Sequence, residues 1–211
     1  MNKTELDQFK KGKTKEQSKV INYFTKEGCC AVFGVMKDDE YLQMVRNKRD
    51  SFKLREKAFA KIGLDEDQVK EIPPVCLQGF RFDRAWAKKT AAGRWVSSSY
   101  EVAWLFFSST QLYLYSMRFN MDEDKKSEST QEFFYKDVTA LSTVTDSYSS
   151  SAEEAKNRVK TFGDRKIDLE TTYFAITVPG EKLTVAMDED EVPDREAVVQ
   201  AMKQKLREKK Q

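Results

Sequence analysis

KLTVAMDEDEVPDREAVVQAMKQKLREKK, residues 182–210, is the stretch whose reading decides the fold. It begins by alternating: Leu183, Val185 and Met187 against Lys182, Thr184 and Ala186, the period of a half-buried strand over 182–187. After an acidic step the period changes. Val198, Ala201, Met202 and Leu206 fall on one stripe of a helix over 193–210. Its ends agree with that reading: Pro193 stands in the first turn, Asp194 and Glu196 at the positive end, and Lys203, Lys205, Arg207, Lys209 and Lys210 at the negative end. Burying Val198, Met202 and Leu206 at about 1.5–3 kcal/mol each is enough to seat such a helix on its own domain.

Upstream, further apolar, β-branched or aromatic runs predict strands near 75–83, 95–107, 111–121, 131–136, 138–146 and 166–178. Ser109-Thr110 reads as a short turn, and Pro179-Gly180 as a type II turn between the last two strands. Within 166–178 the apolar set switches parity, from Ile167 and Leu169 to Phe174, Ile176 and Val178, which predicts a bulge or bend near Thr171-Thr172. Residues 147–165, with a Ser-rich start and a short helical piece over 152–160, read as a surface excursion. Strands followed by one helix suit an α+β fold in which a sheet or small barrel has its open end covered.

The first third reads as helical. One helix runs from Glu16 to Lys26 with Val20, Ile21 and Phe24 on a face. The run from Cys29 to Met36 is strand or buried helix, and its length does not decide which. Asp38 and Asp39 suit an N-cap and first-turn acid of a helix reaching Ile62, with Leu42, Val45, Phe52 and Phe59 inward and Gly63 as its left-handed stop. This helix, 41–62, is strongly basic: Arg46, Lys48, Arg49, Lys53, Arg55, Lys57 and Lys61 against Asp50 and Glu56. It is expected to be a solvated face whose long stems cover apolar surface, the alternative being a face for an acidic partner or a phosphate backbone.

Composition removes several classes of chemistry. The 211 residues have room for one large domain, or a core domain with an extension, and are 39% hydrophobic and 34% charged. Lys plus Arg (37) nearly balances Asp plus Glu (35), so net charge gives no reason to expect nucleic acid. There is no histidine, so Ser-His-Asp and Cys-His nucleophile systems cannot exist here. Cys29, Cys30 and Cys76 have no disulfide-framework or zinc spacing, and the adjacent pair Cys29-Cys30, inside an apolar run, is expected to act as small buried hydrophobes. The acidic groups at 65–67, 122–124 and 188–191 lack calcium-loop spacing and read as solvated turns. No metal or cofactor is expected. Without a bilayer-length apolar run or a signal h-region, the expected location is cytoplasmic.

Seven strands and one C-terminal helix, with Phe133-Phe134-Tyr135-Lys136-Asp137-Val138 leading into a fifth strand, resemble the pleckstrin-homology-like superfold, above all its bacterial branch. The resemblance covers residues 75–211 and implies a seven-stranded antiparallel open barrel with a C-terminal capping helix. Residues 1–74 would be a helical extension packed beside it. It also implies a non-enzymatic binding module, working through protein–protein contact or self-association, with the partner's identity open. In lipid-binding members the loop between the first two strands holds phosphates. That loop is here 84–94, whose Arg84, Lys88, Lys89 and Arg94 become the candidate ligand-binding residues, with Trp86 available to an interface. It departs from the phosphoinositide pattern, since Val96 and Ser98 stand where a second-strand base would be wanted. Two alternatives follow. One is binding of an anionic ligand, a phospholipid head group or nucleic acid, through loop 84–94 or helix 41–62; the other is a histidine-free enzyme using carboxylates or lysine.

Overall fold

In the computed structural model, which describes residues 3–25, 35–69, 73–149, 159–160, 167–188, 192 and 195–209, the chain is mixed α+β. Helices α1 (Lys3–Lys10), α2 (Lys15–Thr25), α3 (Asp38–Ser51) and α4 (Leu54–Ile62) come first. Ten described strands follow: β1 (Val75–Arg81), β2 (Ala85–Lys89), β3 (Trp95–Ser97), β4 (Ser99–Phe107), β5 (Gln111–Asn120), β6 (Lys126–Phe134), β7 (Ala140–Ser149), β8 (Val159–Lys160), β9 (Asp168–Val178) and β10 (Glu181–Ala186). Helix α5 (Arg195–Lys209) closes the chain. The strands form sheets ordered β1-β4-β5-β6, β10-β9-β7 and β3-β2-β8, and none is closed into a barrel. All described pairings are antiparallel except the two-residue β2–β8 bridge.

The inner strands of the four-stranded sheet, β4 and β5, are covered on both faces. Along β4, Tyr100, Val102 and Phe106 pack with the N-terminal helices, while Ala103, Leu105 and Phe107 pack toward β7, β9, β10 and α5. From the helical layer come Val20, Ile21, Tyr23, Phe24, Tyr41, Val45, Leu54 and Ala58, all buried. The opposite layer receives Val199, Met202 and Leu206 of α5, with Val198 half-buried. The expected stripe is therefore slightly rotated: Val199 takes an inner place and Ala201 is exposed. Sheets one and two meet where the Asp188 N–H donates to the Gln78 carbonyl at 2.9 Å. Gly79 makes that approach possible, because a Cβ there would lie 2.9 Å from the Asp188 nitrogen.

Several sequence expectations are corrected. Helix 41–62 is two helices, broken at Lys53, which sits at φ 47. The break lets Phe52 meet Phe119 and Phe59 meet Phe106 edge to face, at centroid distances of 5.3 and 4.8 Å. Helix α3 starts at Asp38, so Lys37 is its N-cap. Strand 95–107 is two strands separated at Ser98. The Ser98 N–H donates to the Trp86 carbonyl at 2.9 Å, and its own carbonyl accepts the Met121 N–H at 2.7 Å. The adjoining Ser97 carbonyl takes the buried Tyr41 hydroxyl at 2.6 Å, so these backbone groups at the break all find partners. The expected loop 84–94 contains β2. Residues 159–160, expected in a helix, pair in parallel with β2; the rest of 152–160 lies outside the described residues.

No bulge interrupts β9. Its register with β7 runs unbroken from Ser149↔Asp168 to Ala140↔Thr177. The parity switch has another cause. Ile167 and Leu169 belong to the core under the helices, while Phe174 and Ile176 belong to the core under α5. One continuous strand thus buries a different face at each end. The Ser109-Thr110 turn, the Gly180 turn (φ +84) and the Gly63 stop (φ +73) stand as expected. The stretch from Cys29 to Gly34 lies outside the described residues.

Candidate functional site

After β1 the chain turns on Asp83 and Arg84, with the Ala85 N–H returning to the Phe82 carbonyl at 3.3 Å. Arg84 takes the left-handed conformation at φ 57, unusual for a side chain-bearing residue, and is exposed. Facing it is the β5–β6 hairpin, closed by the Asn120 N–H on the Lys125 carbonyl (3.1 Å) and by the Asn120 amide on Glu123 (2.7 Å). Between turn and hairpin lies an open cavity of about 340 Å³. Arg84, Arg118, Lys125 and Lys126 line it against Asp83 and Glu123, with Asn120 and Ser127 completing the wall.

Arg118 is the half-buried member. Its Nε donates to the Ser99 hydroxyl and an Nη to the Asp83 carbonyl, both at 2.9 Å. These two bonds occupy one edge of the guanidinium and fix its position. Burial, then the like charge of Arg81, pull its pKa below the usual arginine range; a guanidinium stays charged regardless. Behind it Arg81 stands 3.0 Å from Glu101, which is only 7% exposed. The Arg81 Nε–H points past that oxygen, so the contact is coulombic and not a directed hydrogen bond. Glu101 also accepts the Ala186 N–H at 2.7 Å, and Arg81 donates to the Thr184 carbonyl at 2.9 Å and lies over the Tyr173 ring. This buried pair ties the first sheet to the second. Burial raises the Glu101 pKa above the ordinary carboxylate value, and Arg81 opposes the rise.

The four candidate residues do not converge. Arg84 lines the cationic cavity. Lys88 turns to the helical layer, 3.7 Å from Asp38 and 4.1 Å from the centroid of the Tyr23 ring. Asp38 there accepts the Tyr23 hydroxyl and the Ala91 N–H; together with Lys88 these outweigh burial and hold its carboxyl below the usual range. Lys89 is exposed beside Trp95 across the β2–β3 pair. Arg94 bonds Asp188 at 2.8 Å in a separate cavity of about 310 Å³, walled partly by Phe80, Phe82 and Trp95. Trp86 is fully buried, edge-on to Phe9, so it cannot enter an interface.

Helix 41–62 uses much of its charge internally. Lys48 donates to the Asn120 carbonyl, Arg49 to Gln78, and Lys57 pairs with Glu128 at 3.0 Å. Of the acidic turns, Asp122 is not solvated: it is 2% exposed, and burial raises its pKa despite Lys160, its own backbone N–H and Ser98. No group of three or more His, Cys, Asp or Glu among the described residues could hold a metal. Burial pushes the Cys76 thiol up to about 11, which makes it a poor nucleophile. No described helix is long and apolar enough to cross a membrane.

No protein-family model matches the chain, and no curated protein or solved structure does either. The reading of function rests on the site.

Arg118, Lys125 and Lys126 were missed by sequence reasoning. Arg118 is the one charged position in the otherwise uncharged run of β5, which is a usable signal. Lys125 and Lys126 directly follow an acidic triplet that drew attention to cations instead.

Proposed function

We propose that this chain is a non-catalytic binding module of pleckstrin-homology-like architecture that takes a phosphate-class anion between the 83–84 turn and the 120–127 hairpin. The architecture is supported by order: a four-stranded meander with β2 and β3 as an excursion, then a three-stranded meander, then one helix over the second sheet. The observation that carries the ligand class is the cavity itself. Four cations face two carboxylates there, and Arg118 is pre-positioned by Ser99 and the Asp83 carbonyl. A guanidinium fixed along one edge by internal bonds keeps its remaining N–H groups for a phosphate or carboxylate oxygen. Arg84, Arg118 and Lys125 would contact the anion, with Lys126 at the rim. The buried carboxylates Glu101 and Asp122, whose pKa values are raised, are held by their own partners inside the fold, which favours binding over acid–base chemistry.

Basic groups contributing about 1 kcal/mol each give a site near the millimolar range for one phosphate. Affinity should rise when several phosphates share a scaffold. Calorimetry at low ionic strength with pyrophosphate, beside co-sedimentation with vesicles bearing phosphoinositide or only phosphatidylcholine, tests the reading. Binding to pyrophosphate and phosphoinositide vesicles supports a headgroup; binding to pyrophosphate alone supports a soluble ligand. Binding to neither overturns the proposal.

A further inference from the structure

The open edge of β6 carries a pattern that the anion site shares only through Lys126 at its rim. Strand β6 ends the four-stranded sheet, and Lys126, Glu128, Thr130, Glu132 and Phe134 are all exposed along it. The Ser108 N–H on the Gln111 carbonyl turns odd-numbered β5 residues toward β4, and so even-numbered ones toward β6. The Asn120–Lys125 bond continues that phase. Odd-numbered β6 residues therefore bond to β5, and the backbone N–H and C=O groups of Lys126, Glu128, Thr130 and Glu132 point outward. An exposed row of this kind is a template for another strand.

We propose that β6 pairs with β6 of a second copy of this chain, antiparallel, with Ser129 on the twofold axis. The side chains choose this register. It sets Lys126 opposite Glu132 of the second copy, twice by symmetry, and Glu128 opposite Thr130. Neither Lys126 nor Glu132 has an ion pair among the described residues, whereas Glu128 is already held by the Tyr115 hydroxyl at 2.8 Å and by Lys57 at 3.0 Å. Shifting the axis by one residue toward either end sets Glu128 opposite Glu132, or Glu128 opposite itself. Like charges directly across a pair of strands repel, so these registers are disfavoured. Strand β7, which ends the second sheet, carries a single charge, Asp146, and encodes no such register. A twofold, isologous contact closes at two chains, so the product is a dimer and not a fibre.

Sedimentation velocity of the full chain across a concentration series tests this, with thermal melts to check folding. Wild type should dimerise. Glu132→Lys and Lys126→Glu should each be monomeric alone and form a one-to-one heterodimer when mixed, because mixing restores both opposite pairs. Thr130→Pro should also be monomeric, since it removes an outward N–H and spares the bonds to β5. A monomeric wild type overturns the proposal, as do species larger than a dimer. Dimers that survive Glu132→Lys, or single variants that fail to recover on mixing, overturn the register. The melts keep the result readable: Glu132→Lys changes only an exposed side chain, so it stays informative even if Thr130→Pro fails to fold.

Discussion

Replacing Glu101 with Gln probes how the two main sheets are held together. The side chain spans them, 3.0 Å from Arg81 on β1 and 2.7 Å from the Ala186 N–H on β10. Glutamine can still accept from Ala186, so the backbone contact survives while the counter-charge goes. Arg81, whose side chain is 12% exposed, is then left with the Thr184 carbonyl and the Tyr173 ring. Removing one partner of a buried ion pair costs about 3–5 kcal/mol. The two contacts that Arg81 retains place the expected loss near the lower end. The double variant Arg81→Met/Glu101→Leu strands no charge. Such replacements range from neutral to a gain of about 1–4 kcal/mol, offset here by about 1–3 kcal/mol for the Ala186 N–H, which loses its acceptor. Urea denaturation of wild type, Arg81→Met, Glu101→Leu and the double gives the coupling energy directly, with Glu101→Gln measured beside them. A Glu101→Gln loss under about 1 kcal/mol, or a double variant as unstable as the two single losses added together, would refute the clamp reasoning.

Other outcomes follow from the same structure. Met202→Asp strips packing from a residue 2% exposed and buries an unpartnered carboxylate, so it should cost several kcal/mol, while Lys205→Glu should cost under about 1 kcal/mol; thermal melts of the two separate a seated α5 from a loose one. Asp122 has a raised folded pKa, so its stabilising contribution is present below the ordinary carboxylate pKa and is lost as pH rises through the folded value. Asp122→Asn should therefore gain on wild type as pH climbs from about 4 to neutrality, seen as a narrowing or reversing difference in melting temperature.

The parts of the fold legible in the sequence are those where one face of a strand or helix is buried and the other is not. Strand β10 was legible from Leu183, Val185 and Met187, although Ala186 on the other face is buried too. Helix α5 was legible from Met202 and Leu206, and Gly63 and Gly180 supply positive φ where the chain needs it. Illegible elements have a physical reason in each case. The first half of β6, Lys126 to Thr130, is a polar sheet edge and so carries no apolar alternation. The bend at Ser98 depends on hydrogen bonds to Trp86 and Met121, distant in sequence. The break at Lys53 answers to two ring contacts made on β4 and β5. Strand β9 looked bulged because its two ends serve different cores.

The site was legible only at Arg84. Its companions come from another hairpin, and nothing local joins 84 to 118 and 125 before the sheet order is known. Lys88 and Arg94 looked like ligands because they neighbour Arg84 in sequence. The structure matches them instead with Asp38 and Asp188.

The central claim is that the cavity between Arg84 and Lys125 holds a phosphate-class anion, and Arg84→Gly tests it most directly. Glycine adopts positive φ without strain, so the variant should melt at or slightly above the wild-type temperature. Losing one basic group that contributes about 1 kcal/mol should weaken pyrophosphate binding about fivefold. Wild-type affinity should itself fall steeply between about 50 and about 200 mM salt, with a shallower slope in the variant. An Arg84→Gly protein that binds pyrophosphate as wild type does, with the same salt slope, would contradict the account.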